Sequence, residues 1–418
     1  MELINFDNSN LEFKNNNEVS ILKIASTEED DVKSASLFFN TYTNNTEQFY
    51  DVEISVIIPF YNSKKYIGHC LESLRKQTFK SFEAICINDG SNDGSGALVD
   101  DYCKQDNRFH QFLQTNKGAG LARNKGIELA KGNYIMFLDS DDFLPVYSLQ
   151  KFLKKAKETQ ADVVLAQAEW FNDKTKEKGL AKYCLNEDYL PKGKKIFCAR
   201  DVSDFVLRIT GGAPWGKLFN RSFIINNNIR FLSLKRSEDF YFVQMCLLLA
   251  NKISYIKQRL WVYRINNDCS LESTKDQAPL VFWDANITFI NDIKGINKYS
   301  EFERSILNDV VVRCVYNFNK VEELSSAKKI FNLIKYVVNK EFKLTDYKEG
   351  YFYEKKAYSG IIQIINANTF EEYLWQTRKK RMFNSNGYYM NKREIIYKAI
   401  KNLCKSTKRK HIKEKKIV

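Results

Sequence analysis

Three carboxylates stand together in Asp139-Ser140-Asp141-Asp142, directly after the short apolar run Tyr134 to Leu138. If the chain stays extended past that run, Asp139 and Asp141 point the same way, because strand side chains alternate. Two like charges so placed call for a cation, and Mn2+ or Mg2+ suits a few carboxylates combined with phosphate oxygens. The plainer alternative is a helix N-terminus, where aspartates cap free amides and favour the dipole. A second polar cluster, Asp89-Gly90-Ser91-Asn92-Asp93-Gly94, follows the apolar run Phe82 to Ile87 and reads alone as a turn into a helix cap. A third, Tyr61-Asn62, follows Ile54 to Ile58 and Pro59. Farther on, Glu238-Asp239 precedes an apolar run to Ala250, the composition of an acidic helix start. The chain has only three histidines, so chemistry centred on histidine is not expected.

The elements that must position these groups alternate. Ile54 to Ile58, Phe82 to Ile87, Phe109 to Gln114 and Tyr134 to Leu138 read as buried strands. Lys64 to Gln77, Asp93 to Lys104 and Gly118 to Ala130 carry helical spacing between them. A further helix over Ser148 to Thr159 and a strand over Asp162 to Ala168 continue the pattern, which predicts a parallel, doubly wound α/β sheet. In such a sheet the three polar clusters converge on one edge, where α/β folds bind their ligands. Residues 172–200 are Lys-rich and irregular. From about Pro279 onward the pattern is mainly helical, as in Val281 to Ile293 and Phe302 to Val321.

The balance of 65 Lys and Arg against 51 Asp and Glu gives a net charge of +14, concentrated toward the C-terminus. Residues 391–418 combine basic residues with an apolar side (Ile395, Ile396, Ala399, Ile400, Leu403), which reads as a segment for an anionic membrane surface. A solvated tail is the alternative. Nucleic acid is not expected as a partner, because no recognised nucleic-acid fold precedes the tail and its aromatics are not interleaved. The nine cysteines lack a CxxC pair and are odd in number, which suits reduced thiols. No apolar run reaches the length of a membrane span. Residues 1–50 show no signal-peptide pattern. The expected location is cytoplasmic, with any membrane association peripheral.

The ordered set Val56-Ile57-Ile58-Pro59-Phe60-Tyr61-Asn62, Ile87 to Gly94 and Phe137 to Asp142 resembles the nucleotide-sugar-binding half of a family-2 glycosyltransferase of the GT-A type. The resemblance runs from Glu53 to about Ser273. It implies a nucleotide-diphospho-sugar donor, with UDP the favoured nucleotide. Asp89 would then accept from the base, Pro59, Tyr61 and Ser91 would shape the donor pocket, and Asp139 would meet the ribose or the metal. Asp141 would ligate the metal, with Asp142 left to cap the following segment. Asn88 stands where the family usually has an acid. Gly118 to Gly126 matches the start of the family's third helix, with Arg123 a cation for the donor. Close packing of that helix through its small residues is the structural alternative. Pro214-Trp215-Gly216-Lys217-Leu218-Phe219 and Arg236 to Tyr241 resemble the acceptor-side motifs. By that likeness Trp215 and Lys217 meet the acceptor, Asp239 is the base and Glu238 its runner-up or neighbour. Tyr263-Arg264 resembles a closing segment that brings a cation to the diphosphate.

The expected fold is therefore α/β, a GT-A (Rossmann-like), mostly parallel sheet flanked by helices and followed by a mainly helical C-terminal region. The expected division is an N-terminal extension (1–52), a transferase domain (53–275), a helical region (276–390) and the basic tail (391–418). Within the transferase domain, 53–145 would bind the donor and 200–275 form the acceptor side. The expected activity is metal-dependent, inverting transfer of a hexosyl or N-acetylhexosaminyl unit to a saccharide or lipid-linked glycan in surface-polysaccharide synthesis. The rivals are a sugar nucleotidyltransferase, whose Gly-rich basic loop after the first strand is missing here, and a membrane-surface scaffold with a degenerate transferase domain.

Overall fold

The computed structural model describes residues 52–265 and 275–377. The expectations for residues 1–51 and for the basic tail lie outside the described residues. Strand β1 (Ile54–Phe60) is buried along its whole length, as are β2 (Phe82–Asn88) and β4 (Tyr134–Phe137). Their continuous apolar composition follows from coverage on both faces. Alternate residues supply two cores: Ile57, Ile85, Ile135 and Phe137 face one, while Val56, Ile58, Cys86 and Met136 face the other. Each such aliphatic side chain contributes roughly 1.5–3 kcal/mol on burial.

Helices α1 (Lys64–Arg75), α2 (Ser95–Gln105) and α3 (Ala119–Leu129) connect β1, β2, β3 (Phe109–Leu113) and β4. The chain runs outward from β1 to β2 and β3, then returns to place β4 on the other side of β1, all in parallel. That reversal makes the crevice at the carboxyl ends of β1 and β4 the topological switch point. Past helix α4 (Ser148–Thr159) the sheet continues through β5 (Val163–Asn172), with the short β6 (Lys178–Leu180) on its edge. The two-residue β7 (Ile196–Phe197) lies in the segment read as irregular.

One difference from a purely parallel sheet concerns β8 (Lys217–Asn220), which sits between β4 and β5 and runs antiparallel to both. It carries the acceptor-side motif directly alongside the strand that bears the aspartates. Strand β5 also runs farther than its apolar pattern, because β9 (Ile253–Ile265) pairs with it as far as Asn172 through register shifts around Gln167. Between β8 and β9 lie α5 (Arg221–Asn226) and α6 (Glu238–Leu249).

The C-terminal helices α7 (Val281–Gly295), α8 (Tyr299–Lys320), α9 (Leu324–Asn332), α10 (Asn339–Phe342) and α11 (Lys355–Asn366) follow, with a π-helical turn at Leu333–Val338 between α9 and α10. They have no core of their own. Phe282, Phe289, Phe302 and Phe331 join the same buried cluster as Ile57 and Phe137 of the sheet. Among the described residues no helix is long and apolar enough to cross a membrane.

Candidate active site

The loops after β1 and β2 are laced together at the sheet edge. Asn62, in a left-handed conformation with φ 48°, donates its backbone N–H to Ser91 Oγ (3.0 Å) and accepts from Asn92 N–H at Oδ1 (2.9 Å). Asn88 accepts from Ser91 N–H (2.9 Å), so an amide serves at the position where an acid was expected. Asp93 caps the starts of both neighbouring helices at once: its carboxylate accepts from Lys64 N–H, Ser95 N–H and the Ser95 hydroxyl. Its role as a cap agrees with the turn reading, although α2 starts two residues later than its composition suggested. Pro59 is buried in β1 beside Ile87, while Tyr61 is 49% exposed at the mouth.

Asp89 is buried and accepts three protein hydrogen bonds: from Gln114 Nε2, Lys117 N–H and Gly118 N–H, each 2.8 Å. About four lone-pair sites exist on a carboxylate, so the residue first of all fixes the β3–α3 loop. The Gly-rich start of α3 likewise serves packing. An added Cβ on Gly126 would lie 2.3 Å from Ile57 Cγ2, and one on Gly120 would lie 2.7 Å from the Leu232 carbonyl oxygen and 2.8 Å from Glu238 Cγ.

That close approach lets Arg123 join the two halves of the site. Its guanidinium, 6% exposed, donates to Asp139 Oδ1 (2.8 Å) and to Glu238 Oε1 (3.0 Å) and lies over the Phe231 ring. Burial works against its charge, but Asp139 and Glu238 more than offset this and hold it protonated. The geometry thus makes Arg123 a bridge between the β4 aspartates and the first turn of α6.

Strand β4 stops at Phe137, and Asp139 to Asp142 form a tight turn in which Asp142 N–H bonds back to the Asp139 carbonyl (3.0 Å). The extended geometry assumed for Asp139 and Asp141 therefore does not hold, although both remain partly exposed at the edge. Asp142 does not cap a helix. It is fully buried and accepts from the Trp261 indole N–H (3.0 Å) and from Arg264 N–H (2.9 Å), tying the turn to β9. Burial and the neighbouring Asp141 and Asp139 push its carboxyl well above the ordinary range. Arg264 closes the same region: it donates to the Asp141 carbonyl (2.7 Å) and to Asp173 (2.7 Å), and meets His69 Nδ1 at 2.9 Å. Its charge is already matched by Asp173 behind the turn.

In the second motif, Glu238 and Asp239 form the first turn of α6, preceded by Ser237 at φ 63°. The acidic pair is thus a helix start, as its composition suggested. Asp239 is partly exposed and bonded by Phe240 N–H (2.8 Å). Burial and the adjacent Glu238 raise its pKa to about 7, against the pull of Arg123 and Arg313. Lys217 is buried, its ammonium donating to the carbonyls of Ala213 (2.7 Å) and Trp215 (3.4 Å), and burial lowers its pKa to about 8. Trp215 is 6% exposed and stacks on Tyr263 at 4.9 Å, with Tyr183 against its edge. Trp215 and Lys217 thus shape the wall from within. The exposed ring beside them is Tyr183, which sequence reasoning missed because it lies in the irregular 172–200 segment. Arg313 was missed as well; its only signal was a lone arginine beside Val311, Val312 and Cys314 in a buried helix stretch.

The donor atoms at the edge suit a hard divalent cation completed by diphosphate oxygens: they are carboxylates, without thiolate or imidazole in the turn. Among the described residues no group of three or more His, Cys, Asp and Glu side chains forms a protein-only cage. A two-carboxylate site sharing its ion with substrate phosphate remains compatible with that.

A mostly parallel sheet with its polar loops at the switch point, facing a carboxylate pair on a second motif, is the layout of a GT-A transferase. The family model for "Glycosyl transferase family 2" matches residues 55–214. The putative glycosyltransferase EpsH of Bacillus subtilis is 30% identical over 295 residues, covering 68% of this chain and 81% of its own. The poly(ribitol-phosphate) beta-glucosyltransferase of Bacillus spizizenii is 30% identical over 279 residues, 66% of this chain and 42% of its own. The crystal structure of Staphylococcus aureus TarS in complex with UDP-GlcNAc shares the fold with a TM-score of 0.55 at 21% identity, covering 76% of this chain and 93% of that one. The chain belongs to glycosyltransferase family 2 and is a glycosyltransferase of the GT-A fold.

Proposed function

We propose that the enzyme transfers a hexosyl or N-acetylhexosaminyl unit from a UDP-sugar to a saccharide or lipid-linked glycan acceptor, with inversion, in the synthesis of a surface polysaccharide. The observation that carries the reading is the Arg123 bridge, which couples Asp139 on the donor side to Glu238, the neighbour of Asp239, on the acceptor side. The name of the B. spizizenii relative, a poly(ribitol-phosphate) beta-glucosyltransferase, supports transfer of a hexosyl unit to a hydroxyl-bearing polymer.

In this reading the donor lies across the carboxyl ends of β1, β2 and β4, beside Tyr61, Ser91 and Asp139. Asp239 takes the proton of the acceptor hydroxyl as its oxygen bonds to the anomeric carbon. The bond from that carbon to the diphosphate breaks, and the nucleoside diphosphate leaves with the electron pair. Arg123 holds Asp139 and Glu238 in register, and the Trp215–Tyr263 stack walls the acceptor side from water. A Mn2+ or Mg2+ ion, held by Asp141 with Asp139, would supply neutralisation of charge on the diphosphate. Arg264 supports the turn and would leave the diphosphate to other cations. The basic tail at 391–418, rich in lysine, would bring the enzyme to an anionic membrane surface where a lipid-linked acceptor resides.

Incubating the enzyme with a panel of nucleotide sugars and following nucleoside-diphosphate release tests this. UDP-sugar turnover should disappear in excess chelator and return with Mn2+ or Mg2+. Full turnover in chelator would remove the metal from the reading, and preference for another nucleotide would remove UDP. Deleting residues 391–418 should abolish binding to vesicles rich in anionic lipid. Unchanged binding would end the role given to the tail.

A further inference from the structure

Helix α8 reaches the proposed base. Arg313, about two thirds of the way along it, lies with its guanidinium carbon 3.4 Å from the centre of the Phe240 ring, and Phe240 is the residue after Asp239. Its Nε donates to Asp309 Oδ2, one turn earlier, at 2.6 Å. Asp309 is itself buried. The arginine is thus gripped from behind and laid flat in front, the arrangement in which a guanidinium loses least freedom. The approach is possible because residue 212 is glycine. A Cβ there would stand 3.1 Å from Arg313 Nη2 and 3.4 Å from Phe240 Cα. The same loop bonds through Gly211 N–H to the Tyr183 carbonyl (2.7 Å) and accepts at the Ala213 carbonyl from Lys217. Helix α8, the loop 211–213 and the first turn of α6 therefore meet within one side-chain layer.

We propose that Arg313 is a positioning residue for Asp239: seated on Phe240 and held by Asp309, it fixes the first turn of α6 and places a positive charge beside the carboxylate that removes the acceptor's proton. The inference rests on Asp239 being that base. It gives the C-terminal helices a part in the chemistry. The charged groups that bear on Asp239 come from four elements: Glu238 from α6 itself, Arg123 from α3, Lys217 from β8 and Arg313 from α8. Arg123 bears on Asp239 more strongly but is committed to Asp139 and Glu238, and Lys217 is turned to backbone carbonyls; Arg313, paired with Asp309, is the cation that the C-terminal helices add.

The test is the pH profile of transfer in the full chain, measured as kcat/KM for the acceptor at saturating UDP-sugar. Removing the cation in Arg313→Met should move the acid limb upward by about half to one pH unit and lower transfer at pH 6.5 about 3- to 10-fold, with the donor KM unchanged. Arg313→Lys, which keeps the charge, should return the limb at least half way. Arg313→Gln, which keeps a polar side chain at the same place without the charge, should move the limb in the same direction and serves if Arg313→Met fails to fold. A native pH profile in folded Arg313→Met or Arg313→Gln, or no return in Arg313→Lys, would overturn the proposal. Asp239→Asn measured alongside separates the two levels. If it retains native transfer, the base assignment itself fails; if it is inactive while Arg313→Met behaves as native, only the role of Arg313 fails.

Discussion

At the scale of single residues, two neighbouring questions about acids receive opposite answers. Asp239 is partly exposed, and its pKa of about 7 suits a group that must accept a proton near neutrality. Only the ionised form can do so, so transfer should fall about tenfold per unit as the pH drops below about 7. A rate that stays flat to pH 5 would contradict the assignment. Because its pKa is raised above that of an ordinary carboxyl, its contribution to stability is present at acid pH and is lost as the pH rises through about 7. Asp142, by contrast, is spent on structure. In Asp142→Ala the Trp261 indole N–H and the Arg264 N–H lose their acceptor, at a cost of about 1–3 kcal/mol for each buried donor. Denaturant unfolding should show a correspondingly lower midpoint, and a variant as stable as the native chain would refute the brace. That role was not legible in the sequence. The partners of Asp142 lie 119 and 122 residues downstream, whereas a cap is judged from residues close by.

Among the elements, the strands β1, β2 and β4 were readable because continuous apolar runs admit only coverage on both faces. The convergence of Tyr61-Asn62, Asp89 and Asp139 on one edge followed from parallel connection alone. The antiparallel insertion of β8 was not readable, since direction in a sheet is set by packing against neighbours and leaves no trace in a four-residue strand. Helix α3 shows the same limit. Its Gly-rich start matched the family's third helix, but in the structure the Lys117 and Gly118 amides go to Asp89, and Gly120 lies tight against Leu232 and Glu238. Gly120→Ala should therefore act on transfer more than on donor binding. The added methyl would meet the Leu232 carbonyl and push Glu238 away from Arg123, loosening the bridge between the two halves. Overpacking of this kind costs typically about 1–3 kcal/mol. Calorimetry with UDP and kinetics with acceptor would separate the effects, and a loss confined to UDP affinity would contradict the seat assigned to Gly120.

For the molecule as a whole, the issue is whether the helical C-terminal region is an accessory or a part of the fold. The expected division set off a mainly helical region beginning at residue 276. The buried cluster argues otherwise, because Ile57 and Phe137 of the sheet, Phe240 and Phe242 of α6 and Phe282, Phe302 and Phe331 of the C-terminal helices belong to one continuous core. Polar ties run across as well, from Ser305 to Leu207 N–H and from Arg304 to Asp204. Elements that share a core cannot lose it separately, so residues 52–377 should unfold in one cooperative transition with coincident loss of helix and of aromatic environment. A chain ended after Ile265 would expose the apolar face of α6 that α7 and α8 cover, and should aggregate or bind hydrophobic dyes instead of folding. A truncated chain that stays monomeric, melts cooperatively and still binds UDP-sugar would show that the sheet domain stands alone, and the proposed reach of Arg313 into the site would then be dispensable for folding while remaining testable for rate.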